Sequence, residues 1–247
     1  MTRKVSGLFE TMRAYRGKIV YFDGHLERIK KSCAKFNINP PCSFAQIKKQ
    51  IINAVKQSRL NDVRVKLIIC KAGNKRVISI IVKRYSPAPL QKYKSGFQID
   101  IAGFKQKENS PLVIHKITDR QNYERAFEKA KKAGFDEALI LNNRGDICEA
   151  TRSNIFFVKG NLLFTPSVGC GCLPGITRKA IFNFAKRKKM KVRINRCSLQ
   201  DLLTADEAFL TNSLIGVMPL AAISGKRLAK GAITKYFMNQ YAGLLRK

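Results

Sequence analysis

The chain has 247 residues, of which 45% are hydrophobic and 9% aromatic, a composition that excludes a fibrous or disordered protein and suffices for one large core or two modest ones. Lys and Arg number 48 against 16 Asp and Glu, for a formal charge of +32. The basic residues are spread over every segment without a tail or a nucleic-acid-binding motif. We therefore predict a globular protein that does not bind nucleic acid and whose positive field favours a small anionic substrate.

Two further features concern location and thiols. No apolar run approaches the roughly 20 residues that span a bilayer, and the opening stretch MTRKVSGLFETMR lacks the apolar segment of a secretion signal. The seven cysteines are scattered, without a C-x-x-C pair, and only two histidines accompany them. We expect a cytoplasmic protein without membrane contact, with reduced thiols and no bound metal.

The first part of the chain predicts a small α+β domain over residues 1–105. Helical periodicity appears in HLERIKKSCAKFNI and in SFAQIKKQIINAVKQS, which Ser43 opens as an N-cap. Two β-branched stretches, VRVKLIIC and RVISIIVKRY, flank KAGNK, whose Gly-Asn pair is typical of a hairpin turn. Prolines in YSPAPLQKYKSG then interrupt the strand pattern, and FQIDIAG predicts one more short strand.

The polar stretch FKQKENSP indicates an interdomain loop, which we place at residues 106–115, ahead of a larger domain over residues 116–247. A helix is expected near residues 119–133. It is followed by strands EALILN, TRSNIFFVKG and NLLFTP, a helix from Gly175, strand KVRINRC, a short helix SLQDLLTA, strands EAFLTNS and MPLAAIS, and a final helix. Hairpins and crossovers are mixed in this order, which excludes a simple Rossmann alternation.

Two residues in this larger domain are candidates for chemistry. Lys116 follows His115 directly in PLVIHKITDRQNYERA and precedes a polar, helix-starting run. A solvated surface lysine is the ordinary alternative in so basic a chain. Glu149 lies in DICEATRSN, among small and polar residues, and carboxylates are scarce in this sequence. An edge-strand carboxylate paired with a nearby base is its alternative interpretation.

Three further segments are candidate anion sites. Gly175 precedes a helix that begins with Ile176 and Thr177, and a helix N-terminus behind a glycine-rich loop offers unpaired N–H groups and the positive end of the dipole. The LTNS stretch ends a strand, and Arg28 lies one helical turn after a histidine. An ordinary helix start and a solvated arginine are the alternatives here.

A lysine, an isolated carboxylate and a phosphate cradle are together what pyridoxal 5'-phosphate requires. The lysine binds its aldehyde, the carboxylate keeps its pyridine nitrogen protonated, and the cradle holds its phosphate. The residue types alone indicate this cofactor only weakly.

The longer motifs carry a resemblance to a known family. They are GLFETMR, GHLERIKKS, HKITDR, GFDEALILNNRGDICEATRSNIFFVKGNLLFTP, CLPGITRKAI and ADEAFLTNSLIGVMPL. In this order, and over nearly the whole chain, they resemble the fold-type IV pyridoxal-phosphate enzymes, which include branched-chain and D-amino acid aminotransferases and aminodeoxychorismate lyase. The resemblance implies a homodimer of two-domain α+β subunits, each with a small N-terminal α/β sandwich and a larger C-terminal mixed α/β barrel-like domain.

The resemblance also implies a role for each matching position. Lys116 carries the cofactor, Glu149 pairs with its pyridine nitrogen, and Asn154 lies close to it. The implied phosphate contacts are Arg28, Ile176, Thr177, Ser213 and Leu214. Thr11 falls where the lyases keep a threonine near the cofactor, so that Lys116 and Thr11 are the implied catalytic residues.

Two details distinguish the branches of the family. Branched-chain aminotransferases usually place a tyrosine where this chain has Gln121, and they bind the substrate carboxylate with an Arg-Gly loop where this chain reads KRYSPAP. The resemblance therefore implies a lyase that converts 4-amino-4-deoxychorismate to 4-aminobenzoate and pyruvate, with an amino acid aminotransferase as the alternative. Arg13 and Arg120 are candidate contacts for the dicarboxylate substrate, although surface solvation is the more ordinary role for each.

The beginning of the chain departs from the family pattern. Family members commonly have a pair of strands ahead of the GLFETMR motif, whereas this sequence reaches the motif at residue 7. We accordingly expect a first domain that is truncated at its start, either through loss of its edge strands or through descent from a fused arrangement.

Overall fold

The computed structural model describes residues 5–73 and 75–246. Asn74 of the predicted Gly-Asn turn and the first four residues of the N-terminal stretch lie outside the described residues. The chain divides into two compact units, one of Met1–Pro87 with His115–Arg120 and one of Ala88–Ile114 with Gln121–Lys247.

The first unit is a four-stranded antiparallel sheet with two helices. Its elements are β1 (Gly7–Tyr15), β2 (Lys18–Ile19), α1 (Phe22–Phe36), α2 (Phe44–Gln57), β3 (Asp62–Ala72) and β4 (Lys75–Arg84). The strand order is β2-β1-β3-β4, and the predicted hairpin of β3 and β4 is confirmed by pairing from Val63↔Arg84 to Ala72↔Lys75. Both predicted helices are confirmed, and Ser43 caps α2 by accepting a hydrogen bond from the Gln46 N–H.

Alternation along β3 explains how this unit forms its core. Val63, Val65, Leu67 and Ile69 are fully buried, while the residues between them are exposed or half-buried. This period of two buries one face of the sheet against helices whose apolar residues recur every three or four positions. The predicted α+β character of the first domain is thereby confirmed.

The second unit is built on a nine-stranded sheet. Its elements are α3 (Leu90–Ser95), β5 (Phe97–Gln106), α4 (Gln121–Lys132), β6 (Glu137–Asn142), β7 (Ile147–Ala150), β8 (Asn154–Lys159), β9 (Leu162–Pro166), a 3₁₀ turn (Val168–Cys170), α5 (Ile176–Arg187), β10 (Lys191–Asn195), α6 (Leu199–Leu203), β11 (Glu207–Asn212), β12 (Gly216–Ile223), β13 (Lys226–Arg227) and α7 (Ala232–Arg246). Every element predicted from the sequence in this region is present.

This sheet mixes parallel and antiparallel pairs. The order is β10-β9-β8-β11-β12-β5-β6-β7, with β13 on β12. The pairs β9–β10, β5–β12 and β5–β6 are parallel and the others antiparallel. The mixture confirms that the chain is not a simple alternation of strands and helices. Strand β8 lies well inside the sheet and is buried from Asn154 to Val158, which places the residues at its start in the interior.

The boundary between the units differs from the one predicted. The sequence pattern assigns residues 88–105 to the first domain, but β5 pairs with β6 and β12 and so belongs to the larger sheet. Conversely, His115–Arg120 belongs to the first unit, because residues 116–118 form backbone hydrogen bonds with β1. Lys116 therefore lies in the smaller unit and not at the start of the larger domain.

Within the described residues, no helix is both long enough and apolar enough to cross a membrane.

Candidate active site

The predicted site residues fall in both units. Lys116, Thr11, Arg28, Arg13 and Arg120 belong to the first unit. The second unit holds Glu149, Asn154, Ile176, Thr177, Ser213 and Leu214.

The backbone of Lys116 is held against β1. The Phe9 N–H donates to the Lys116 carbonyl at 2.8 Å and the Thr118 N–H donates to the Gly7 carbonyl at 2.9 Å, on either side of a β-bridge between Leu8 and Ile117. The Lys116 ammonium lies 4.5 Å from the centroid of the Phe9 ring. Lys116 is therefore a half-buried residue with a fixed backbone, unlike a solvated surface lysine.

The residue before Lys116 is tied to α1. The Ser32 hydroxyl lies 2.7 Å from Nδ1 of His115 and 3.0 Å from the Arg28 carbonyl. The His115 ring also packs edge-on against Phe36, with centroids 4.8 Å apart. Contacts with both β1 and α1 thus fix the HKIT segment, and they give its histidine a structural role.

A strongly bound anion in this unit is Glu10, which the sequence patterns do not single out. Its carboxylate is 1% exposed and accepts hydrogen bonds from Arg28 Nε and Nη2, both at 2.7 Å. His25 Nδ1 lies 2.7 Å from Glu10 Oε2. Arg28 is thus oriented by a buried bidentate ion pair, and its predicted phosphate contact stays a prediction.

A signal for Glu10 was present in the sequence. Acids are scarce, and an alternating strand would place Glu10 among Leu8 and Met12 on the buried face. A buried carboxylate requires a cationic partner, and Arg28 with His25 on one helix face could have been recognised as that partner.

Burial by itself would raise the pKa of Glu10, but the charge of Arg28 and hydrogen bonds from His25 and Arg28 outweigh it and lower the pKa to about 2. Burial lowers the pKa of His25, against the opposing effect of Glu10. Glu10 is therefore ionised at neutral pH.

This shift predicts an acid-sensitive contribution to stability. A carboxyl whose folded pKa is depressed stabilises the fold above its unfolded pKa, here 4.5, and loses that contribution as the pH falls toward 2. The contribution of Glu10 to the free energy of unfolding is about 3 kcal/mol. Denaturant unfolding of the wild type and of Glu10→Gln checks it. The variant should be less stable near neutral pH and should lose less stability on acidification. If the free energy of unfolding fell equally with pH in the two proteins, Glu10 would not be the source of the acid sensitivity.

The remaining candidates of the first unit differ in their surroundings. Arg13 donates through Nε and Nη2 to Asp62 at 2.9 and 2.6 Å, and its guanidinium lies 4.8 Å from the centroid of the Tyr85 ring. An ion pair and a stacking partner thus already account for Arg13. Arg120 is half-buried just ahead of α4. A substrate role for either residue stays a prediction.

In the second unit, Glu149 and Asn154 are brought into direct contact. Glu149, on β7, is 4% exposed. Its Oε2 accepts from Asn154 Nδ2 at 3.2 Å and from the Leu173 N–H at 3.0 Å. Asn154 Nδ2 also donates to the Leu173 carbonyl at 2.9 Å. Both donors fall on one carboxylate oxygen. Strand β7 ends the strand order of the sheet, as the edge-strand interpretation expected, but the carboxylate on it is buried.

The segment that follows leads into α5. Gly175 is the N-cap of this helix, without a side-chain hydrogen bond to the cap, and a Cβ at this position would meet Asn154 Oδ1 at 2.0 Å. Only glycine therefore permits this approach of the helix start to Asn154. The buried Arg178 donates to the Pro166 carbonyl at 2.8 Å, which ties the first turn of α5 to the end of β9.

The LTNS stretch forms the end of β11 and the turn beyond it. Asn212 Oδ1 accepts from the N–H groups of Leu214 and Ile215, both at 2.9 Å. Ser213 and Leu214 thus lie in a turn that a side chain organises.

Two hydroxyls in these segments indicate that an anionic group fits. Thr177 and Thr211 are 2% and 1% exposed, and the Oγ1 of each is buried with no hydrogen-bond partner among the described residues. An unsatisfied buried hydroxyl costs about 1–3 kcal/mol. A ligand with acceptor oxygens would remove that cost at both positions. Together with the uncapped N-terminus of α5, they suit the phosphate of pyridoxal 5'-phosphate.

Comparison with known proteins agrees with this chemistry. Residues 7–223 match the family model described as amino-transferase class IV. The chain belongs to this family. Class IV aminotransferases depend on pyridoxal 5'-phosphate, so the predicted family and cofactor are confirmed.

Individual members of the class IV family that resemble the chain differ in their named activity. The chain is 28% identical to aminodeoxychorismate lyase of Bacillus subtilis over 232 residues, 88% of this chain and 77% of the relative. It is 26% identical to the branched-chain-amino-acid aminotransferase of Pseudomonas aeruginosa over 258 residues, 97% of this chain and 84% of the relative. The family is therefore established, and its two activities are both represented among the relatives.

The class IV fold is also confirmed by solved structures. The branched-chain aminotransferase of the archaeon Thermoproteus uzoniensis, solved with norvaline, matches with a TM-score of 0.90 at 24% identity, over 98% of this chain and 86% of that one. The two-domain α+β prediction is thereby confirmed.

Proposed function

We propose that the protein is a pyridoxal-phosphate-dependent lyase that converts 4-amino-4-deoxychorismate to 4-aminobenzoate and pyruvate. The observation that supports this most directly is the position of Thr11. Alternate residues of a strand point to the same face, so Thr11 lies on the same face of β1 as Phe9, whose ring contacts the Lys116 ammonium. Thr11 matches the threonine that the lyases of the family keep near the cofactor.

The residues that would hold the cofactor follow from the resemblance. Lys116 would bind its aldehyde, Glu149 would keep its pyridine nitrogen protonated, and Asn154 would orient Glu149. The phosphate would be held by Arg28, Ile176, Thr177, Ser213 and Leu214. When bound, pyridoxal phosphate stabilises negative charge at the carbon next to the substrate amine.

Lys116 would perform the proton transfers. Its amine would accept the proton from C4 of the substrate ring, and its ammonium would then return a proton to the departing three-carbon group, which leaves as pyruvate. The ring becomes aromatic as the carbon–oxygen bond to that group breaks, and no external oxidant or amino acceptor is consumed. Thr11 would hydrogen-bond the reacting groups through its hydroxyl.

The alternative is an amino acid aminotransferase, and relatives with that name support it as a candidate. An aminotransferase binds two amino acids in turn, so it needs a carboxylate site that both share. The sequence has KRYSPAP where the branched-chain enzymes have their Arg-Gly loop, and the exposed Gln121 where they have a tyrosine.

The deciding experiment gives the protein, loaded with pyridoxal phosphate, either aminodeoxychorismate alone or pairs of amino acids and 2-oxoacids. We expect equal amounts of 4-aminobenzoate and pyruvate without an amino acceptor. Inertness on aminodeoxychorismate together with conversion of leucine, glutamate or D-alanine would replace the lyase by the aminotransferase.

Thr11→Val is expected to reduce lyase turnover by about tenfold to a hundredfold. The substitution replaces the hydroxyl with a methyl group of similar size, on the face of β1 where the Phe9 ring contacts the Lys116 ammonium. Thr11→Ser retains a hydroxyl and serves as the matched control, with most of the turnover preserved. Both variants should bind the cofactor like the wild type, as measured by its visible absorbance. Wild-type turnover in Thr11→Val would remove Thr11 from the catalytic residues.

A homodimer in the cytoplasm is part of this proposal. The formal charge of +32 suits attraction of a small dicarboxylate, in place of a role in nucleic-acid binding.

A further inference from the structure

We propose that Asn212 and Glu137 are positioning residues that hold the Ser213–Leu214 turn in the shape that receives the cofactor's phosphate. This inference rests on the cofactor site of the proposed function. Glu137 does not stand out in the sequence, Asn212 does so only as part of the LTNS stretch, and both act through other groups.

The first link is between Asn212 and the turn itself. Asn212 is the last residue of β11, and its Oδ1 accepts from the backbone N–H groups of Leu214 and Ile215 at 2.9 Å each. Asparagine commonly organises a turn by accepting from amides that follow it. Asn212 therefore fixes the direction in which the Leu214 N–H points, beside the Thr211 hydroxyl, which has no partner among the described residues.

The second link connects Asn212 to the interior of the unit. Its Nδ2 donates to Ser153 Oγ at 3.0 Å and to the Arg152 carbonyl at 3.3 Å. Ser153 is 3% exposed, so this anchor is not open to solvent.

The third link ends at a carboxylate. Glu137, on β6, is also 3% exposed. Ser153 Oγ donates to Glu137 Oε1 at 2.6 Å and the Arg152 N–H donates to Oε2 at 2.9 Å. The Thr151 hydroxyl lies 3.4 Å from Oε2. A buried carboxylate that accepts three hydrogen bonds fixes the segment that carries them.

The chain of bonds has a direction. Serine has one hydroxyl hydrogen, and because Ser153 gives it to Glu137, its oxygen is an acceptor toward Asn212. The Asn212 amide must therefore turn its NH₂ toward Ser153 and its oxygen toward the amides of the turn. Glu137 thus sets the orientation of a side chain to which it is not bonded, and that side chain sets the turn.

The test compares pyridoxal phosphate with pyridoxal, which lacks the phosphate. Dissociation constants of both are measured by absorbance titration for the wild type and the variants, after circular dichroism has shown that each is folded. In Asn212→Ala we expect pyridoxal phosphate to bind about tenfold or more weakly, a change of about 1.4 kcal/mol, with little change for pyridoxal. The preference for the phosphorylated form should therefore fall. If Asn212→Ala preferred pyridoxal phosphate over pyridoxal as strongly as the wild type does, the inference would be overturned.

Two further variants separate positioning from general damage. Asn212→Ser keeps an acceptor oxygen at the start of the turn and is expected to recover part of the preference; it also gives a measurement should the alanine variant not fold. Glu137→Gln should lower the preference by a smaller factor, about threefold to tenfold, and an unchanged preference there would remove Glu137 from the inference.

Asn142 offers a matched control, because its Oδ1 likewise accepts from two following amides, Arg144 N–H at 3.0 Å and Asp146 N–H at 2.9 Å. Asn142→Ala should lower stability and leave the preference unchanged; a loss equal to that of Asn212→Ala would count against a specific role of Asn212. Failure of the proposed function is distinguishable: inertness on aminodeoxychorismate would reject the lyase, whereas an aminotransferase of the same family would still prefer pyridoxal phosphate, so that the result for Asn212→Ala would stand.

Discussion

Replacement of Lys116 by alanine is expected to abolish covalent attachment of pyridoxal phosphate and to reduce turnover on the order of 10³-fold or more. The physical reason is that the amine both binds the cofactor's aldehyde and transfers the proton, so one substitution removes both functions. Borohydride reduction followed by mass spectrometry of the peptide that contains residue 116 measures the attachment directly. The wild type should show one reduced adduct there and the variant none.

Lys66 provides the matched control for this experiment. Its ammonium lies 5.3 Å from the centroid of the same Phe9 ring that Lys116 contacts, and it is also half-buried. Lys66→Ala should retain the adduct at Lys116. Recovery of the adduct at another lysine in active Lys116→Ala protein would show that the assignment is wrong.

Glu149→Gln is expected to retain the cofactor and to lose turnover by about a hundredfold or more. An ionised carboxylate favours the protonated form of a partner nitrogen, whereas an amide of nearly the same shape does not. The hydrogen bonds from Asn154 Nδ2 and the Leu173 N–H can still be accepted by the amide oxygen, so the fold around the site should persist. Cofactor content and single-turnover rates would be measured on the same preparation.

Glu207 is the control for this second prediction. It is a buried carboxylate in the same sheet, 5% exposed, whose oxygens accept from the N–H groups of Ile233 and Thr234 at 3.1 and 2.6 Å at the start of α7. Glu207→Gln should alter stability and not the turnover of the folded protein. Full turnover in Glu149→Gln would remove Glu149 from the mechanism.

Several elements could be predicted because their signal is local. The helices α1 and α2 follow from the period of their apolar residues and from Ser43, and the hairpin of β3 and β4 from its β-branched runs. The end of β5 is predicted too early, because Phe104 is followed by the polar Lys105 and Gln106, although β5 continues to Gln106 beside β6.

Several elements were not predicted, among them β1, α3 and the strand β7 that carries Glu149; β1 and α3 were missed for related reasons. Strand β1 has Glu10 at one of its buried positions, which hides the alternation of apolar residues. The short helix α3 begins directly after Pro89, a position at which proline is tolerated, although prolines in such a stretch are more typical of a break.

For the site, the sequence by itself determined the family, the cofactor and the identity of the residues implied to bind it. These follow from the resemblance that motifs such as HKITDR and CLPGITRKAI carry, since the residue types alone indicate the cofactor only weakly. Glu149 and Asn154 also lie five residues apart in one motif, on strands that are consecutive along the chain.

Only the tertiary structure decided which groups are partners over long separations in the chain. The sequence does not reveal that Arg13 is bound by Asp62 or that residues 116–118 pair with β1, and it gives only an indirect signal that Arg28 is bound by Glu10. It likewise does not connect Glu137 through Ser153 to Asn212. The physical reason is that periodicity and propensity report the neighbours within one helix or strand, whereas the partner of a buried charge or hydroxyl is set by which elements pack together.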